Sequence, residues 1–216
     1  SGEGKDKATW VLRDYFRAEV VAEAQSSNPK ECAEVTLTLI DRYKIDPSDV
    51  VIDAFGIGSD VGKEIALASQ GRYNCYTVLV GNPPKYEAEY NTQFFSRHDK
   101  ETDENGSDLF LNLRALMFFR VKDWIYGGGM LVDQAVENST FSNELQVIRY
   151  KRSLQGNKIQ LMSKKDMNKM RIPSPNMADA LALTFLRDMD EQKQPEHEAR
   201  QIMAENEEVE DKYALL

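Results

Sequence analysis

Two aspartates stand among apolar residues, and both are candidates for chemistry that uses a cation. Asp53 ends the β-branched run Val50-Val51-Ile52, and Asp179 lies in the segment MADALALTF, residues 177–185. A carboxylate is costly to bury unless it is paired or binds a cation, and oxygen ligands from separate elements suit Mg²⁺ or Mn²⁺. Asp6, in the polar segment GEGKDK, is a third acid near a predicted strand. The alternatives are a turn or capping acid for Asp53 and a salt-bridged helix residue for Asp179.

Nucleotide-binding and nucleophile motifs fail on spacing or context. The segment GIGSDVGKE at residues 56–64 suggests a phosphate-binding loop, but its spacing is wrong, and Glu64 follows Lys63 where a Walker A loop has Ser or Thr. His98 and His197 lie in polar segments, so a surface role is favoured over that of a general base or metal ligand. Nucleotide hydrolysis and nucleophile–base chemistry are therefore disfavoured.

The pattern of apolar residues predicts the elements that position these acids. Strands are predicted at residues 8–15, 17–24, 50–52 and 76–80, and helices at residues 29–43, 61–69, 109–125, 164–170 and 177–186. Residues 17–24 could also form a helix on propensity alone. Residues 145–150 and 158–162 flank Gln155-Gly156-Asn157, which predicts a β-hairpin. This order indicates an α/β fold with a mixed sheet, in which Asp53 ends a buried strand.

Charge is distributed unevenly along the chain. The 216 residues hold 27 Lys and Arg against 36 Asp and Glu, a net charge of -9, which taken as a whole disfavours a nucleic-acid binder. Residues 188–216 contain ten acidic and three basic residues, however, while residues 149–171 contain eight basic residues and one acid. The net charge therefore combines an acidic C-terminal segment with a basic region, and it does not exclude an enzyme that acts on nucleic acid.

Composition also predicts the domain organisation. Residues 1–187 are expected to form one domain, and residues 188–216 an acidic tail that is either a solvated helix or disordered. Residues 99–108 have the composition of a disordered loop. Two isolated cysteines, Cys32 and Cys75, form no disulfide framework, and no apolar run approaches the roughly 20 residues of a membrane span. A soluble intracellular protein is therefore expected.

Four segments, taken in order, resemble the C-terminal nuclease domain of phage terminase large subunits. They are GEGKDKATWV, VVIDAFGIGSDVGKEI, LFLNLRALMFFRVKDWI and IQLMSKKDMNKMRIPSPNMADALALTF, and together they extend over residues 2–185. The resemblance implies an RNase H-like mixed β-sheet flanked by helices, to which the basic β-hairpin predicted from the residues is added. It also implies a divalent-metal-dependent endonuclease that cleaves concatemeric double-stranded viral DNA during genome packaging.

The resemblance assigns roles to particular residues. Asp53 would be the bridging or first-metal ligand, Asp179 a ligand of a pair of Mg²⁺ or Mn²⁺ ions, and Asp6 a further member of the cluster. Two such ions about 4 Å apart activate water and stabilise the leaving oxygen. Asp60 is expected to be a helix N-terminal acid. The local positive charge of the hairpin and the helix after it, rather than the resemblance, indicates phosphate contacts that position DNA, through Arg149, Lys151, Arg152, Lys158, Lys164 and Lys165. The alternative is a solvated face of ordinary basic residues.

The resemblance also carries expectations about what lies outside this sequence. The family's first catalytic aspartate and its strand are expected before Ser1, and Asn176 stands where many relatives have an acid. The partners implied are DNA, the ATPase domain of the same full-length protein, the small terminase subunit and the portal, in the host cytoplasm and away from any membrane. Two alternatives remain: a catalytically idle DNA-docking or regulatory module, and another RNase H-like nuclease such as a junction resolvase.

Overall fold

The chain combines strands and helices and begins with two consecutive strands, as the apolar pattern predicts. The computed structural model describes residues 7–25, 27–84, 109–132, 141–154 and 156–186. The strands are β1 (Ala8–Arg13), β2 (Arg17–Ala24), β3 (Val51–Asp53), β4 (Tyr76–Val78), β5 (Met130–Val132), β6 (Tyr150–Arg152) and β7 (Ile159–Leu161). The helices are α1 (Pro29–Tyr43), α2 (Gly58–Ala68), α3 (Leu113–Tyr126), α4 (Phe141–Val147), α5 (Lys164–Lys169) and α6 (Asn176–Leu183). Asp6, His98, His197, the acidic loop and the tail lie outside the described residues.

The strands form a mixed sheet and two smaller ladders. β1 pairs antiparallel with β2, and β2 pairs in parallel with β5, so that the mixed sheet is confirmed. β3 and β4 form a separate parallel ladder in which Asp53 lies opposite Val78. The last ladder is the antiparallel hairpin of β6 and β7. Residues 17–24 are thus a strand, although their propensity also allowed a helix.

Side chains cap the N-termini of α1 and α3. Asn28 accepts a hydrogen bond from the N–H of Lys30 at the start of α1, which has Pro29 as its first residue. Asn112 accepts from the N–H of Ala115 at the start of α3. α3 therefore begins four residues later than predicted, because Phe110 is extended and bridges to β7.

The main core lies between α3 and α6. It is formed by buried apolar residues of both helices, including Leu113, Met117 and Val121 from α3 and Leu181 and Ala182 from α6. This packing places the first turn of α6, which carries Asp179, beside the first turn of α3. A second cluster joins α1 to α2.

The first predicted arm of the hairpin was wrong. Residues 141–147 form α4, and the strand begins only at Tyr150. Phe141 is 1% exposed, and Leu145 and Ile148 pack against the same core at helical spacing, so tertiary burial favours a helix here. The predicted turn is confirmed, since Gly156 and Asn157 both have positive φ and the N–H of Ser153 donates to the carbonyl of Lys158. β5, which has only three residues, was not predicted.

A groove of about 590 Å³ separates β1 from β3. Its lining includes Trp10 of β1, Val51 of β3, Leu39 of α1 and Leu183 of α6. Among the described strands, β1 pairs only with β2, and β3 only with β4, so each has a free edge. The hydroxyl of Thr9, also in the lining, is buried and has no hydrogen-bond partner in the described part of the chain.

None of the described helices combines the length and the apolar character needed to cross a bilayer.

Candidate active site

Asp53 is held at the carboxyl end of β3 by the turn that follows it. Its Oδ1 accepts a hydrogen bond from the N–H of Phe55 at 3.1 Å. The chain then enters α2 at Gly58, where a Cβ atom would lie 1.8 Å from the carbonyl oxygen of Asp53. Only glycine fits this close approach of backbone to backbone, so the strand, the turn and the helix together determine where the carboxylate lies.

Asp179 lies in the first turn of α6, where two basic side chains contact its carboxylate. Nε of Arg114 donates to Oδ1 at 2.9 Å, and Nη2 of the same guanidinium lies 2.8 Å from that oxygen. Nζ of Lys164, the first residue of α5, lies 3.6 Å from Oδ2. The side chains of Arg114 and Asp179 are 15% and 23% exposed, whereas that of Lys164 is 52% exposed. Asp179 is therefore a salt-bridged helix residue as well as a candidate ligand.

The two carboxylates belong to one electrostatic cluster. Burial raises the pKa of Asp53 above its ordinary value, the N–H of Phe55 lowers it, and the negative charge of Asp179 raises it again. The positive charges of Lys164 and Arg114 lower the same pKa. The structure thus brings Asp53 and Asp179, which are 126 positions apart in sequence, close enough to interact.

Carboxylate oxygens are the donors that Mg²⁺ and Mn²⁺ prefer, so Asp53 and Asp179 fit a hard divalent cation. Within the described ranges, no group of three or more His, Cys, Asp or Glu side chains is positioned to hold a metal ion. Asp6, the third predicted ligand, lies outside those ranges. The described part of the site therefore offers two carboxylates, with two protein cations beside them.

Asp60 has the position predicted for it. It lies in the first turn of α2, where its negative charge interacts favourably with the helix dipole. Its Oδ1 lies 2.8 Å from Nζ of Lys63. Both side chains are more than half exposed. Asp60 is therefore a surface acid and serves as a control for the two site acids.

The predicted DNA-binding residues divide into two groups. Lys151 and Arg152 are exposed on β6, and Nη1 of Arg152 also donates to the carbonyl of Asn157 in the hairpin turn. Arg149, which precedes β6, donates to the carbonyls of Gln146 and Ile148. The second group consists of Lys164 and Lys165, the first two residues of α5, which follows β7 in sequence. Lys158 immediately precedes β7 and lies between the two groups in sequence. Of these residues, Lys164 is the one that the structure places at Asp179.

Arg114 was missed by the sequence reasoning. It is one of several cations in α3, and its distance from Asp179 in sequence hides their pairing. A signal was nevertheless present, because Arg114 stands among apolar residues in LFLNLRALMFF, as Asp179 does in MADALALTF. The argument that a charge in an apolar helix requires a partner applies to both residues.

Comparison with known proteins identifies the fold. No protein-family model and no curated protein sequence matches the chain. The structure is similar to the nuclease domain of the large terminase subunit gp2 of bacterial virus Sf6, with 23% sequence identity and a TM-score of 0.67 over 85% of this chain and 84% of that chain. A lysine-to-alanine mutant of that domain with manganese and β-thujaplicinol gives 22% identity and a TM-score of 0.68 over the same fractions. Another, with calcium, gives 21% and 0.67, also over 85% and 84%.

These similarities show the class of fold. The chain has the RNase H-like α/β fold of a terminase nuclease domain, with a mixed sheet flanked by helices, as predicted. Among the proteins with this fold, the chain is similar in structure to the nuclease domain of the Sf6 large terminase subunit, over most of its own length and of that domain.

Proposed function

We propose that this chain is the C-terminal nuclease domain of a phage terminase large subunit. It is a divalent-metal-dependent endonuclease that cleaves concatemeric double-stranded viral DNA during genome packaging. The observation that carries the proposal is that α6, which carries Asp179, packs against β3, which ends in Asp53, so that the charge of Asp179 acts on Asp53 within an RNase H-like fold. The similar Sf6 nuclease domains described with manganese support the use of a divalent cation.

Asp53 and Asp179 would hold the cations, with Asp6 as a third ligand. When bound, a pair of such cations lowers the pKa of a water molecule and stabilises the charge that develops on the leaving 3′ oxygen. The protein fixes the orientation of the two carboxylates through hydrogen bonds. The N–H of Phe55 engages one oxygen of Asp53, and Arg114 engages one oxygen of Asp179. Each carboxylate thus keeps one oxygen outside these hydrogen bonds.

DNA binding falls to the basic hairpin and the start of α5. Lys151 and Arg152 project from β6 into solvent, where their charges can pair with phosphates without reading base sequence. Lys164, half exposed beside Asp179, would contact a phosphate brought to the two carboxylates. The hairpin is tied to the body close to the site, because the N–H of Leu111 donates to the carbonyl of Ile159 at 2.8 Å.

The groove between β1 and β3 supports the domain organisation that the resemblance implies. A strand preceding Ser1 would pair with both free edges and join the mixed sheet to the β3–β4 ladder. It would also cover apolar side chains of the groove, such as Trp10 and Leu39. In this proposal residues 1–187 form the nuclease domain and residues 188–216 an acidic tail, with the ATPase domain, the small subunit and the portal as partners.

The strand proposal is tested by adding a β-prone segment of alternating Val and Thr, with a short linker, ahead of Ser1. We expect a higher melting temperature and slower hydrogen exchange of amides in β1 and β3. The control has the same length but alternates Gly and Ser. Equal exchange in the two extended proteins would reject the groove as a strand acceptor.

The nuclease proposal is tested by Asp53→Ala and Asp179→Ala. Both should abolish Mn²⁺-dependent cleavage of plasmid DNA while circular dichroism still reports a folded protein, whereas Asp60→Ala should cleave like the parent. Undiminished cleavage by both site variants would reject the assignment. Linear, supercoiled and branched DNA then separate the alternatives. DNA binding without cleavage by the parent favours the idle module, and preference for branched DNA favours the resolvase.

A further inference from the structure

One arginine side chain connects three elements around the two carboxylates. Arg114 is the second residue of α3, and its backbone N–H donates to the carbonyl of Val80, just after β4. Its Nη1 donates to the carbonyl of Met162, just after β7, at 3.4 Å, and its Nε donates to Asp179 in α6. Because the side chain is 15% exposed, this guanidinium belongs to the interior of the site rather than to its surface.

The guanidinium engages a single oxygen of Asp179. Nε and Nη2 of Arg114 lie 2.9 and 2.8 Å from Oδ1. The contact of Nη2 is ionic, because among the described residues that buried nitrogen has no acceptor in hydrogen-bonding geometry. Oδ2 has Lys164 at 3.6 Å, on a side chain that is half exposed. Oδ1 is therefore held by a hydrogen bond and an ionic contact from the buried guanidinium of Arg114. Oδ2 has the longer contact with Lys164, whose side chain is exposed to solvent.

This geometry depends on an arginine rather than on any positive charge. The planar guanidinium presents its donors in a rigid fork, whereas a lysine ammonium is a compact charge on a flexible stem. A lysine at position 114 would keep the attraction for Asp53 and Asp179. It would lose the arrangement in which one side chain reaches both Asp179 and the carbonyl of Met162.

We propose that Arg114 is a positioning residue of the nuclease: it holds Asp179 through Oδ1, so that Oδ2 remains the oxygen that a divalent cation can take. The inference rests on the proposed function. It assigns to Arg114 the part that a hydrogen-bonded neighbour plays beside a metal ligand, where it orients the ligand and does not itself contact metal or substrate.

Arg114→Lys tests this role because it preserves the charge. We expect Mn²⁺ binding, measured by calorimetry, to weaken by about 10- to 100-fold, as substitution of such a neighbour typically does. We also expect kcat for plasmid cleavage to fall while KM for DNA stays within twofold of the parent. The matched control is Arg72→Lys. This exposed arginine stacks beside Tyr73 and donates to the carbonyl of Ser69, and its replacement should change neither quantity.

Thermal melts separate positioning from a purely structural role. If Arg114→Lys lowers only the melting temperature, while Mn²⁺ affinity and kcat measured on the folded protein match the parent, the proposal is overturned. If Arg114→Lys does not fold, Arg114→Gln, which keeps a donor for Oδ1, is measured at low temperature with the same expectation and the same refuting result. Failure of the proposed function is distinct, because the parent itself would then neither bind Mn²⁺ nor cleave.

Discussion

Replacing each site acid by its neutral isostere should change stability in opposite directions. Asp179→Asn keeps the shape and the Oδ1 acceptor but removes the charge that faces Arg114, whose side chain is 15% exposed. A hydrogen bond to a charged group contributes about 1.5–3 kcal/mol, against about 0.5–1.5 kcal/mol for a neutral one. The loss at Lys164 is small, because that side chain is 52% exposed and an exposed pair contributes about 0–1 kcal/mol. We therefore expect a cost of about 2 kcal/mol.

Asp53→Asn should not share this cost. Burial is the largest cause of the raised pKa of Asp53, so its ionised form is disfavoured in the folded protein. The amide removes that charge and keeps an oxygen for the N–H of Phe55. At neutral pH we expect Asp53→Asn to melt at or above the temperature of the parent.

The assay is thermal unfolding of the parent and the variants at pH 7 in a chelating buffer, with Asp60→Asn as the exposed-acid control. For a domain of this size, a loss of about 2 kcal/mol lowers the melting temperature by about 4–8 °C. An Asp179→Asn protein that melts with the parent, or an Asp53→Asn protein that loses more stability than Asp179→Asn, would refute the reasoning.

Three further predictions concern the same site. Lys151→Ala combined with Arg152→Ala should weaken DNA binding and make the slope of log K against log salt shallower by about 1.8, since each phosphate contact contributes about 0.9; an unchanged slope removes these residues from the interface. The stability contributed by protonated Asp53 is present below its ordinary pKa of 3.8 and is lost as pH rises through the raised folded-state pKa. The unfolding free energy of Asp53→Asn, determined by urea titration, should therefore rise relative to that of the parent as pH increases through this window. A difference that does not change with pH would contradict this prediction. Gly58→Ala places a Cβ atom 1.8 Å from the carbonyl oxygen of Asp53, so melting temperature and Mn²⁺ affinity should both fall. Gly71→Ser, just after α2, has space for the side chain but strains a φ of +76°, so it should lower the melting temperature and leave Mn²⁺ affinity unchanged.

Local sequence carries much of the fold. The apolar spacing of α1 and α6, the caps before α1 and the glycine turn of the hairpin each act within a few residues, so their elements follow from nearby side chains. α4 is the counter-example. Its residues also suit a strand, and the helix forms because Phe141 and Leu145 find a core supplied by distant parts of the chain.

The same division holds at the site. Asp53 and Asp179 are recognisable from sequence because a carboxylate in an apolar run needs a partner, whatever that partner is. Which partner it receives is decided only when β3, α3, α5 and α6 meet. Arg114 reaches Asp179 across 65 positions, and Lys164 approaches the same acid from another helix. Burial and Coulomb interaction depend on distance in space, so sequence indicates which charges need partners, and packing determines which charges meet.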